Sequence, residues 1–106
     1  MYELIDARVV GTVIRDAREY RGLSQEVASG LAAISRTHLS KIERGKRKPT
    51  LETFCRIADA LQFKASDILA EIENRNEQAE RGGKSPALFF ERWYKHGYSD
   101  VERYFR

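Results

Sequence analysis

Apolar residues recur three and four positions apart along much of the chain, the spacing of a helix that buries one face. In ARVVGTVIRDAREYR, residues 7–21, Val10, Val13, Ile14 and Ala17 form such a stripe, while Arg8, Arg15, Asp16 and Glu19 read as solvated. Asp6 is placed to cap this helix and Gly22 to stop it. A shorter helix is expected at about 25–32 behind Ser24, with Val27, Ala28 and Leu31 as its apolar side. Ala33–Ile34 leaves room only for a tight turn before Ser35, which caps a third helix running to Gly45. LETFCRIADALQ, after Pro49–Thr50, predicts helix four with Leu51, Phe54, Cys55, Ala58 and Leu61 inward. Ser66 with Asp67 reads as the cap of helix five, with Ile68, Leu69 and Ile72 inward.

Beyond Ile72 the pattern stops. ENRNEQAERGG is polar and without apolar period, and reads as a linker or as an extension of helix five. From Ser85–Pro86 an aromatic block follows, ALFFERWYKH, with Leu88, Phe89, Phe90, Trp93 and Tyr94 close together. Three regions result: a domain over 1–72, a polar segment over 73–84 and a helical tail over 85–106. Two residues conflict with their setting. Gly11 inside helix one costs up to about 1 kcal/mol relative to alanine, which a close helix–helix approach would explain. No glycine sits in the Ala33–Ile34 turn, and a positive φ at Ala33, if the turn requires one, costs about 1 kcal/mol.

Composition narrows the function classes. With 106 residues and 42% hydrophobic content, the chain is sized for one domain with an appendage. No apolar run approaches the ~18 residues of a membrane span. MYELIDARVV lacks the basic region and apolar core of a secretion signal. The lone Cys55 excludes an internal disulfide, and it reads as a small core residue in a reducing, cytoplasmic setting. His38 and His96 have no ligand spacing around them, so neither a metal nor another cofactor is expected. There is no nucleophile–base constellation and no phosphate-binding glycine loop, which argues against an enzyme.

Charge then singles out SRTHLSKIERGKRKPT, residues 35–50. It holds six basic residues against one acid, a net +5 in a chain whose total is +3. At about 100° per residue, Arg36, Thr37, Ser40, Lys41 and Arg44 share an arc of about 140°. Leu39, Ile42 and Glu43 take roughly the other side. A basic, hydroxyl-bearing face backed by an apolar one, with Lys46, Arg47 and Lys48 directly after it, is a candidate nucleic-acid footprint. Short helix, tight turn and short helix form a helix-turn-helix arrangement.

The order GLSQE, ISRTHLSKIERGKRKPT and Leu51, Ile57, Ala58, Leu61, Ser66, Asp67, Ile68 and Leu69 resembles the lambda-repressor-like helix-turn-helix domains of the Xre/Cro type over residues about 10–70. The resemblance implies an all-α domain of five helices with the third in the DNA major groove, here with a C-terminal aromatic-rich helical extension. It implies that Ser35, Arg36, Thr37, Ser40 and Lys41 face base edges. It also places Arg44, Lys46 and Lys48 on the DNA backbone, joined by Arg47, and Ser24 and Gln25 on a phosphate. Gln25 is further expected to brace a recognition side chain. Arg18 and Glu43 match a pair tying helix one to helix three, and a partly buried carboxylate needs such a partner for its own reasons. His38, at the edge of the basic face, reads as a spectator. Two departures are visible: Ala28–Ser29 replaces a leucine–alanine pair, with Leu31 as a substitute for the bulk, and Ala33 replaces a glycine.

The expected function is sequence-specific binding of double-stranded DNA and regulation of transcription, as a repressor in the first instance. One such domain reads few base pairs, so a homodimer on a pseudo-palindrome is expected, held by Leu88, Phe89, Phe90, Trp93 and Tyr94 of the tail. The alternatives for the tail are packing back on its own domain and binding a protein partner. An antitoxin, a restriction-system controller or an interaction module without DNA binding are the alternatives.

Overall fold

The computed structural model describes residues 4–81, and side chains through residue 77. Five helices occupy them: α1 (Ala7–Tyr20), α2 (Gln25–Leu31), α3 (Arg36–Glu43), α4 (Leu51–Ala60) and α5 (Ala65–Arg81). No strand occurs among the described residues. The polar run from residue 73 to 81 is part of α5. The tail with Leu88, Phe89, Phe90, Trp93 and Tyr94 lies outside the described residues, as do residues 82–84.

Each of the first four helices starts on a side-chain cap. The Asp6 carboxylate accepts from Arg8 N at 2.8 Å, and Ser24 Oγ from Val27 N at 3.1 Å. Ser35 Oγ accepts from His38 N at 3.0 Å, and Thr50 Oγ1 from Thr53 N at 3.1 Å. Such caps satisfy amides that would otherwise be orphaned, at about 1 kcal/mol each. The same helices end alike, on a residue with positive φ: Gly22, Ala33, Gly45 and Gln62. In each case the next residue's N–H reaches back five positions: Leu23 to Arg18 O, Ile34 to Ser29 O, Lys46 to Lys41 O and Phe63 to Ala58 O. This is the Schellman closure, which satisfies the last carbonyls. Ala33 holds φ at 58°, the strain expected of it. Because its side chain is exposed, Ala33→Gly removes that strain without losing packing. Thermal melting should show a gain of about 0.5–1 kcal/mol, and a loss would contradict this account.

The core joins Val10, Val13, Ile14 and Ala17 of α1 to Ala28 and Ala32, Leu39 and Ile42, Phe54, Ile57, Ala58 and Leu61, Phe63, and Ile68 and Ile72. Helix one packs on α3 and α5, α2 on α3 and α4, and α4 on α5. Arg21 seals one corner. It donates to Leu61 O and Gln62 O at 2.8 Å each, and its guanidinium lies 4.3 Å from the Phe63 ring centre. Burial lowers its pKa, so this cation stays charged at some desolvation cost. At the opposite corner, Asn76 of α5 donates to Leu4 O at 2.6 Å and accepts from Asp6 N at 3.1 Å. Beside it Arg75 pairs with both Asp16 and the buried Glu71.

Four expectations are corrected. Helix two buries Ala28 and Ser29, followed by Ala32 at its C-cap, while Val27 and Leu31 are exposed. Leu31 therefore supplies no core bulk, and the buried side of α2 carries only the small Ala28, Ser29 and Ala32. In α4, Leu51 and Cys55 are exposed and Ile57 is inside, so Cys55 is not a core residue. Leu69 is largely exposed, and Glu71 instead shares the inner side of α5 with Ile68 and Ile72. Finally, Ser66 stands inside α5, since the backbone carbonyl of Lys64 already accepts from Asp67 N and Ile68 N.

Candidate nucleic-acid interface

Helix three is presented outward by what lies behind it. Leu39, Ile42 and Glu43 are buried. Arg36, Thr37, Lys41 and Arg44 are exposed, and Ser40 is half-buried among them. The helix sits close because Gly11 lets it. A Cβ at Gly11 would lie 2.4 Å from Ile42 O and 2.5 Å from Glu43 O, so α1 crosses α3 backbone against backbone.

Glu43 then locks three elements together. Its Oε2 accepts from Arg18 Nε at 2.7 Å, and its Oε1 accepts from Arg18 Nη2 at 2.9 Å and from Gln25 Nε2 at 3.0 Å. Arg18 Nη1 donates to Leu23 O at 2.8 Å. The parallel fork is the strong arrangement for a guanidinium and a carboxylate. The hydrogen bond to Glu43 raises the Arg18 pKa, against the opposing effect of burial. A carboxylate can only accept, so Gln25 must turn its amide nitrogen inward. Its carbonyl oxygen and second N–H remain for an outside partner. The bond from Gln25 to Glu43 rather than to a recognition side chain was not legible in the sequence, because it depends on how deep Glu43 sits.

Gln25 and the outer face of α3 enclose a shallow open recess of about 290 Å³, lined by Gln25, Arg36, Thr37, Ser40 and Arg44. The start of helix two and the outer face of α3 thus form one surface. Lys41 and Ser35 flank this recess on α3 without lining it. Ser35 Oγ is engaged as the cap acceptor and keeps its hydroxyl proton as a donor. Arg44 Nε bends back to Ser40 O at 3.3 Å, over the C-terminal end of α3. Ser24 is exposed at the α2 cap, and Lys46, Arg47 and Lys48 are exposed on the turn.

The turn has one peculiarity among the four helix closures. The residue after the positive-φ position usually packs on its own helix. Leu23, Ile34 and Phe63 do so and join the core or its edge. After α3 that place is taken by Lys46, which is exposed. The closure that exits α3 therefore offers an ammonium group where the others offer a hydrophobe. Among the described residues no helix is long and apolar enough to cross a membrane, and no group of His, Cys, Asp or Glu is placed to hold a metal.

Comparison with known proteins agrees with this geometry. Residues 9–70 match the model of the helix-turn-helix domain family. The transcriptional regulator ClgR of Mycobacterium tuberculosis is 38% identical over 73 residues, 69% of this chain and 65% of the regulator. The chain thus spans slightly less than two thirds of that relative's length. The restriction-modification controller protein C.AhdI from Aeromonas hydrophila superposes with a TM-score of 0.58 at 30% identity, covering 59% of this chain and 96% of the controller. The clp gene regulator ClgR from Corynebacterium glutamicum shares the fold with a TM-score of 0.68 at 22% identity, covering 90% and 96% of the two chains.

Proposed function

The chain belongs to the helix-turn-helix domain family, and from that premise we propose that it is a sequence-specific regulator of transcription that binds double-stranded DNA and acts by occupancy rather than by catalysis. The observation that carries this reading is the outer face of α3, basic and hydroxyl-bearing, continuous with Gln25 on one side and Lys46 on the other.

The major groove admits one α-helix and shows each base pair a distinct donor–acceptor pattern. Arg36, at the N-terminal end of α3, is the residue for the O6 and N7 of a guanine. Lys41 reaches the same edge as a point charge. Thr37 contacts a thymine methyl, and Ser35 and Ser40 add short donors. The other set holds the backbone: Ser24 and Gln25 at the start of α2, and Arg44, Lys46, Arg47 and Lys48 at the exit of α3. These contacts release counterions and carry no sequence information. Two domains related by two-fold symmetry would read half-sites about 34 Å apart. The aromatic tail, through Leu88, Phe89, Phe90, Trp93 and Tyr94, is the proposed dimer contact and the place for any further protein partner. The setting is the cytoplasm, and the simplest outcome is repression, by covering an operator that overlaps a promoter. Control of a restriction–modification system is the second reading, favoured by the likeness to C.AhdI.

The test separates the two sets of residues. Bound sequences are first selected from random duplexes, and binding to the selected and a scrambled duplex is then measured over a salt series. Arg36→Ala should lose about 1–3 kcal/mol on the selected duplex and little on the scrambled one. Lys46→Ala should weaken both and reduce the salt slope by about 0.9 for each bound chain. The same titration should give two chains per operator. Equal loss on both duplexes for Arg36→Ala would sink the assignment of base readout to this residue.

A further inference from the structure

Helix one carries a basic residue that joins this surface from another element. At about 100° per residue, Arg8, Gly11, Arg15 and Arg18 fall within an arc of about 80°. Two points of that face are fixed on α3: Arg18 on Glu43, and Gly11 on the carbonyls of Ile42 and Glu43. The N-terminal end of the same face must then extend past the C-terminal end of α3. It does so at Gly45, where a Cβ would lie 2.7 Å from Arg8 Cγ and 2.9 Å from Arg8 Cα. Arg8 is therefore seated on the glycine between Arg44 and Lys46, and its side chain is 82% exposed.

We propose that Arg8 is a DNA-phosphate contact, carrying the positive surface from the exit of α3 onto helix one, and that Asp6 is the anion it exchanges for the phosphate. This rests on the DNA-binding reading above. Arg8 Nη2 stands 3.3 Å from Asp6 Oδ2, in a pair open to water. An exposed pair of this kind holds its partners weakly, so a phosphate can displace it. Nothing is left orphaned when it does, because the Asp6 carboxylate keeps the Arg8 backbone N–H at 2.8 Å as the cap of α1. Asp6 also lies in the field of the basic turn. Its carboxyl is held below the usual range by the Arg8 backbone N–H first, then by the Arg8 side chain, with Lys48 contributing. An acid thus sits at the edge of the cationic exit, and its pairing with Arg8 covers part of that charge in the absence of DNA.

The experiment uses the full chain and a short random-sequence duplex, over about 50 to 200 mM salt. Arg8→Ala should flatten the log–log salt dependence by about 0.9 for each bound chain and weaken binding several-fold at the low-salt end. Arg56→Ala removes the same charge from a comparable exposed pair, with Glu52 on α4, and should leave the slope as it was. Asp6→Asn keeps a good capping side chain while removing the competing charge, and should tighten binding to the same duplex. An unchanged slope for Arg8→Ala, an equal drop for Arg56→Ala, or no tightening in Asp6→Asn would each overturn the proposal. A wild-type chain that retards no duplex at low salt would instead overturn the DNA-binding reading beneath it.

Discussion

Glu43→Ala is expected to lose about 3–5 kcal/mol of folding stability, a large share of what a domain of this size has. The side chain is 2% exposed and its partner Arg18 11%. Removing the carboxylate leaves a guanidinium with its Nε and Nη2 unpaired in a nearly dry site, and leaves Gln25 Nε2 without its acceptor. The loss is that of an abandoned cation, which sets up an internal control. A double variant, Arg18→Leu with Glu43→Leu, removes both charges and should recover part of the loss. Urea denaturation followed by circular dichroism gives both numbers, provided the m-value is unchanged. A Glu43→Ala midpoint close to wild type would mean that the pair is solvated and holds little.

Gly11→Ala is the second large effect. Alanine is the better helix former by about 1 kcal/mol, so sequence reasoning alone expects stabilisation. The contacts reverse the sign. The new methyl would stand 2.4–2.8 Å from Ile42 O, Glu43 O and Glu43 C, all backbone atoms that no rotamer change can move. Helix one must separate from α3, and the net cost should be about 3 kcal/mol. Gly30→Ala is the matching case with opposite outcome. A Cβ there meets nothing within 4 Å, so the helix-propensity gain of up to about 1 kcal/mol is kept. Finding the two alanine variants shifted in the same direction by thermal melting would remove close approach as the reason for Gly11.

What the sequence made legible was mostly local. Asp6, Ser24 and Ser35 each cap a helix from one side chain to an amide two or three residues on, and Gly22 and Gly45 stop helices by their own backbone freedom. The two faces of α3 follow from periodicity in the same way. Helix two was misread because periodicity ranks side chains by hydrophobicity, whereas a close crossing ranks them by size. Ala28, Ser29 and Ala32 are the residues it buries, while Val27 and Leu31 stay exposed. Helix four was misread through an offset of the stripe, which gave Leu51 and Cys55 the inward positions and left out Ile57. The second half of α5 had no apolar period to read, since its attachments through residue 76 are polar: Glu71, Arg75 and Asn76. Arg8 looked like an ordinary solvated residue until the crossing at Gly11 fixed where helix one ends. Long-range polar contacts of this kind leave no trace in a pattern of neighbours.

The bond between Asn76 and the stretch around Leu4 has a consequence during synthesis. It links residues 72 apart, and α5 packs along α1, the helix that also supports α3. A chain emerging from the ribosome makes helix one first and must wait for helix five before that flank is covered. Until residue 76 clears the exit tunnel, α1 has one side exposed and α3 rests on an unfinished support. Nascent chains released early, at about residue 60, should accordingly be handled as unfolded by chaperones and proteases, although they already contain every residue from Ser24 to Lys48 that is proposed above to meet DNA.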